Sequence, residues 1–185
     1  MGKARAYTNR ALELDAGNAD AYSASARLFQ LTGRYDEAVA DARRSVRLSP
    51  SSADVATLAG FIFTTSGYLE EAVEQSEKAM VLNPNYPSLY LGNLGYAYRL
   101  AGRMDEAIAA FKAYDARSPG FGLVDLVIIY QQNGQPDEAK RTAKRLLAAR
   151  RDFTIASWLK TQVIRNAARL EADTAALRAA GLPAG

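Results

Sequence analysis

Gly33-Arg34-Tyr35-Asp36-Glu37-Ala38 returns as Gly67-Tyr68-Leu69-Glu70-Glu71-Ala72, Gly102-Arg103-Met104-Asp105-Glu106-Ala107 and Gly134-Gln135-Pro136-Asp137-Glu138-Ala139. The four glycines lie 34, 35 and 32 residues apart. A period near 34 is the spacing of a helix–turn–helix repeat, which predicts an all-α solenoid of stacked helix pairs. The glycine ends the first helix, where the chain turns left-handed and a Cβ would be penalised. The acidic residue three positions on opens the second helix, where free backbone N–H groups favour its charge. The alanine then sits on the inner face of that helix, small enough for two helices to approach closely.

Working back from each glycine, taken as position 15, positions 4, 7, 8 and 11 form a helical stripe. They are Tyr22, Ser25, Ala26 and Phe29 in the first unit and Ala56, Ala59, Gly60 and Phe63 in the second. The third has Leu91, Leu94, Gly95 and Tyr98, and the fourth Leu123, Leu126, Val127 and Tyr130. The i, i+3, i+4, i+7 spacing makes one mostly apolar face with an aromatic near its end. Pro50, Pro84 and Pro119 each follow their glycine by 17 residues and stop the second helix.

Glycine, acidic pair, alanine, aromatic and proline at this period resemble the tetratricopeptide (TPR) family over roughly residues 19–151. The departures are the lack of Trp at position 4, the lack of Leu at position 7 in two units, and Arg151 where the fourth proline is expected. The resemblance implies antiparallel helix pairs in a right-handed superhelix. It also implies a concave face, lined by the first helices, that holds a peptide or a partner helix. The expected division is a second helix of a truncated preceding repeat at 1–18, repeats at 19–52, 53–87, 88–119 and 120–152, and capping helices at 153–185. Phe153 to Arg165 is expected as one helix and Leu170 to Ala180 as another. The chain is expected to be a piece of a longer protein, with Met1-Gly2 an added start. The end Leu177-Arg178-Ala179-Ala180-Gly181-Leu182-Pro183, with Phe153-Thr154-Ile155-Ala156 and Trp158-Leu159, resembles the C-terminal TPR region of bacterial adenylate cyclase and winged-helix signalling proteins.

On the concave face, positions 9 and 12 supply Arg27, Gln30, Phe61, Thr64, Tyr96, Arg99, Ile128 and Gln131, and position 6 supplies Asn93. Asp20, Ser23, Asp54, Thr57 and Asp125 complete the lining. An aromatic, apolar middle with polar flanks suits an extended peptide or an amphipathic helix. The alternative is that an internal or neighbouring helix fills the groove. The first units lack the Lys and Asn pattern with which some TPR domains grip a C-terminal carboxylate.

Composition narrows the function. The chain has 185 residues, a net charge of +3, no cysteine and no histidine. Disulfide and thiolate chemistry are excluded, as are Ser-His-Asp arrangements and histidine ligation. Each acidic pair is adjacent in sequence and so points to different sides of its helix. Catalysis, metal binding and cofactors are therefore not expected. Lys140, Arg141, Lys144, Arg145, Arg150 and Arg151 make a basic outer stripe, read as a solvated convex face rather than a nucleic-acid site. No run approaches a membrane span, and a cytoplasmic location is expected. The expected function is a non-catalytic protein–protein interaction module of a larger bacterial signalling protein. The alternatives are a regulatory region of an adenylate cyclase-type enzyme, and a self-association module that dimerises through exposed repeat ends.

Overall fold

The computed structural model describes residues 2–185, and among these it contains eleven helices and no strand. They are α1 (Gly2–Leu14), α2 (Ala19–Leu31), α3 (Tyr35–Leu48), α4 (Ala53–Ser66), α5 (Leu69–Leu82), α6 (Ser88–Leu100), α7 (Met104–Arg117), α8 (Leu123–Gln132), α9 (Pro136–Ala149), α10 (Ile155–Leu159) and α11 (Ala167–Ala179). The chain divides into a unit ending at Tyr86 and a unit Pro87–Gly185. In the first, α2 packs on α3, α4 on α5, α3 on α4, and α1 on α2. In the second, α6 packs on α7, α8 on α9, α7 on α8, and α11 on α8.

One turn builds all four helix pairs. Gly33, Gly67, Gly102 and Gly134 have φ of 74, 91, 80 and 71°. A Cβ at any of them would meet nothing, so the requirement for glycine is conformational. The next N–H closes a six-residue loop, as in Arg34 N to Phe29 O at 2.9 Å and Tyr68 N to Phe63 O at 2.9 Å. This is a Schellman ending, and Gly181 ends α11 the same way, with Leu182 N to Leu177 O at 3.2 Å.

The acidic pair lies in the first turn of each second helix, with one residue between it and the cap position. Arg34, Tyr68, Arg103 and Gln135 hold the cap positions, and none of these four side chains makes a capping hydrogen bond. The glutamates also pair with arginines. Arg34 Nη2 donates to Glu37 Oε1 at 2.8 Å, and Arg103 Nε to Glu106 Oε1 at 3.0 Å. The same two guanidiniums lie over the Phe29 and Tyr98 rings, 4.3 and 4.4 Å from the centroids. In the second pair Arg43 takes this place, over Tyr68 and bonded to Glu71. The carboxyl groups of Glu37, Glu71 and Glu106 are all held below their ordinary value. Arg34 is the main cause for Glu37, Arg43 for Glu71, and the backbone N–H, then Arg103, for Glu106.

Two segments depart from the repeat. α8 has 10 residues, where the other first helices have 13 or 14. Its missing start is a bend through Gly120 and Gly122, at φ 90 and 81°. The expected helix Phe153–Arg165 ends at Leu159. After Lys160 come Thr161, Val163 and Ile164, β-branched residues that disfavour a further turn. Gln162 Nε2 also takes the Trp158 carbonyl at 3.0 Å, the acceptor a continuing helix would use. The C-terminal segment returns to α10, with Ile155 N donating to Pro183 O at 2.9 Å and Ala156 N to Ala184 O at 2.8 Å. That return brings Leu182 into the same core as Phe153 and Ile155.

Candidate functional site

The face that positions 9 and 12 were expected to offer exists in both units, and the two are used differently. In the first unit, Arg27 is half-buried on α2 with its guanidinium 5.3 Å from the centre of the Phe61 ring on α4. Arg27 Nη1 donates to Gln30 Oε1, and Gln30 Nε2 donates to Thr65 Oγ1. Gln30 and Thr64 are both buried, and Thr64 Oγ1 donates to Gly60 O at 2.7 Å. Arg27 and Phe61 are thus the accessible pair, and Gln30 supports Arg27. Burial lowers the Arg27 pKa.

In the second unit the chain's own α11 covers this face. Arg99 is 1% exposed and pairs end-on with Asp173 of α11: Nη1 donates to Oδ1 and Nη2 to Oδ2, both at 2.9 Å. Its Nε sits 3.2 Å from Asp125 Oδ1, an ion-pair distance without hydrogen-bond geometry. Gln132 Nε2 donates to Asp173 Oδ1 at 3.0 Å, and Arg169 Nε approaches the same oxygen at 3.5 Å. The Tyr96 ring lies 5.2 Å from the Arg99 guanidinium. Ile128 is wholly buried in a core that includes Ala176, Leu177 and Ala180, the last just past the end of α11. Asn93, Tyr96 and Gln131 keep partial exposure.

The expectation that Arg99 and Ile128 face an outside ligand is therefore corrected. A helix of this chain already neutralises one and packs on the other. Nor is α11 only an end cap, because it reaches Arg99 on α6 as well as α8.

The electrostatics of this cluster follow from its enclosure. Burial works against charge on Arg99, but Asp125 and Asp173 outweigh it and raise its pKa. Burial pushes the Asp125 carboxyl up; Arg99 opposes this and Asp173 reinforces it. Burial likewise holds the Tyr96 phenol well above its ordinary value.

Asp173, Gln132 and Arg169 did not stand out in the sequence. A signal was there: Leu170 and Leu177 put Asp173 and Thr174 on the same helical stripe. A carboxylate on an apolar stripe calls for a buried cation.

Elsewhere the charged groups pair at the surface. Arg141 bonds Glu138 and Arg145 bonds Asp115, while Lys140 and Lys144 are exposed. Among the described residues no cluster of three acids, histidines or cysteines could hold a metal ion, and no helix is long and apolar enough to cross a membrane.

The repeated turn, the small inner positions and the paired helices agree with a tetratricopeptide repeat family model that matches residues 2–53 and 66–120, over half of the chain. The chain belongs to the tetratricopeptide repeat family. Among solved structures, PilW, a type IV pilus biogenesis factor, is similar at TM-score 0.75 and 22% identity over 95% of this chain and 83% of that one. YrrB, described as a TPR protein with an unusual peptide-binding site, is similar at TM-score 0.66 and 21% identity over 85% and 81%. A thermophilic TPR protein of Thermus thermophilus is similar at TM-score 0.67 and 21% identity over 92% and 87%. At such identities these likenesses speak to the TPR fold. A comparison with curated protein sequences finds no match.

Proposed function

We propose that this TPR chain is a non-catalytic protein-interaction module whose binding surfaces are the first-helix faces, with repeats at 19–52, 53–87, 88–119 and 120–152. One observation carries the reading: α11 lies on the α6–α8 face through a charge pair and an apolar stripe. A face that accepts one helix in this way has the shape and chemistry to accept another. The description of YrrB as peptide-binding supports the same use of a TPR face. The open candidate is the α2–α4 face around Arg27 and Phe61, with Asn93 and Tyr96 at the edge of the occupied one. A cytoplasmic, bacterial signalling parent extends the proposal on the C-terminal resemblance alone. Self-association is a second reading, favoured by Tyr7 and Leu14 of α1, which are 74 and 71% exposed.

The test is a peptide-display selection on the whole chain, followed by titration of the selected peptides against variants. Phe61→Ala should weaken binding by about 2 kcal/mol, as buried aromatic anchors do, and Lys144→Ala on α9 should leave it unchanged. Loss on Lys144→Ala alone would contradict the reading and move the site to the basic face.

A further inference from the structure

Among the described residues four arginines are half-buried or buried: Arg27, Arg43, Arg99 and Arg169. Three of them face a carboxylate. Arg43 bonds both oxygens of Glu71, Arg99 bonds both oxygens of Asp173, and Arg169 approaches Asp173. Arg27 does not: among the described residues its partners are the Gln30 amide and the Phe61 ring. A guanidinium stays charged at any physiological pH, so burial cannot be relieved by losing the proton. Burial lowers its pKa, and no carboxylate opposes that shift. Arg27 therefore carries a desolvation cost that a neutral amide and a ring offset only in part.

The occupied face of the second unit shows what completes such a site. The two faces use the same repeat positions. Positions 9 and 12 hold Arg27, Gln30, Phe61 and Thr64 in one, and Tyr96, Arg99, Ile128 and Gln131 in the other. Each has one arginine beside one aromatic ring, 5.3 Å apart in the first and 5.2 Å in the second, though Arg27 holds position 9 with its ring on the next first helix and Arg99 holds position 12 with its ring on the same helix. On the second, a helix supplies an aspartate to the guanidinium. The chain then presents Ala176, Leu177 and Ala180 to the α8 core, three, four and seven residues further on. That spacing is one helical face.

We propose that the α2–α4 face binds a helical segment of a partner protein that brings an Asp or Glu to the Arg27 guanidinium. An apolar stripe three, four and seven residues after the acid would cover Phe61. The proposal rests on the reading of the first-helix faces as binding surfaces and names the chemistry of the occupant. Asp20 and Asp54, exposed in the first turns of α2 and α4, lie two turns from Arg27 and Phe61 on the same helices.

The probe is a labelled synthetic peptide of residues 166–182, the chain's own α11, titrated into the full chain by fluorescence anisotropy. A second peptide carries Asp173→Asn. The variants are Arg27→Gln and Phe61→Ala, each checked for an unchanged melting temperature. The expected result is saturable binding that weakens about tenfold for the Asp173→Asn peptide and about tenfold for Arg27→Gln, with no further loss when the two are combined. Equal affinity for wild type and Arg27→Gln, with loss on Phe61→Ala, would overturn the carboxylate pairing while leaving the face a binding surface. Indifference to both variants would place the peptide elsewhere, such as in the seat of α11, and would contradict the underlying reading as well. No binding up to millimolar peptide would overturn the proposal.

Discussion

At the scale of single residues, the fold depends on places where nothing larger fits. Ala107 is fully buried on the inner face of α7, the position every repeat fills with alanine. Ala107→Leu should cost about 1–3 kcal/mol in chemical denaturation, because added methylenes force neighbours off their rotamers. A Cβ on Gly95 would first meet the Phe111 ring, at 3.0 Å, whereas a Cβ on Gly60 meets Ser76 and then the Ala72 carbonyl at 3.3 Å. Gly122 is under a harder constraint: φ is +81°, and a Cβ there would lie 2.8 Å from the Phe111 carbonyl oxygen. Gly122→Ala should therefore cost about 2 kcal/mol or more, while a control Gly33→Ala should cost only the left-handed penalty of about 1–2 kcal/mol. Equal losses at the two sites would mean that the Phe111 contact is not tight. The repeat glycines were legible because they recur at fixed spacing. Gly122 was not, because it belongs to a link that occurs once.

At the scale of elements, α11 is where sequence and structure diverge most. Its existence and its glycine ending were readable from Leu170, Leu177 and Gly181. Its seat was not, since the Arg99–Asp173 pair joins residues 74 apart with no repeat to align them. The pair makes a sharp prediction. Asp173→Ala leaves Arg99 buried without its main counter-ion and should cost about 3–5 kcal/mol. Asp125→Asn should behave oppositely. The folded Asp125 carboxyl is raised above 3.8, mainly by burial. Its contribution to stability is therefore present below 3.8 and lost as pH rises through the raised folded value. Above that value the ionised carboxylate is a burden, so Asp125→Asn should match wild type in acid and melt higher at pH 7. A lower melting temperature for Asp125→Asn at pH 7 would show that its attraction to Arg99 outweighs its burial. α10 was misread for a local reason: an apolar helical spacing ran on through Val163, but β-branched residues and the Gln162 side chain ended the helix first.

At the scale of the molecule, two first-helix faces carry related chemistry, one filled by the chain itself and one with a half-buried arginine that faces no acid among the described residues. The repeat architecture and the all-α class followed from periodicity, and the TPR resemblance assigned positions 9 and 12 to one face. Which face is occupied followed from neither, because that depends on a helix outside the repeat. The most direct test is hydrogen–deuterium exchange on the full chain with and without saturating 166–182 peptide. The predicted result is slower exchange in α2 and α4 around Arg27 and Phe61, with α8, α9 and α11 unchanged. Slower exchange confined to α9, or faster exchange in α11 with α2 and α4 unaffected, would contradict it.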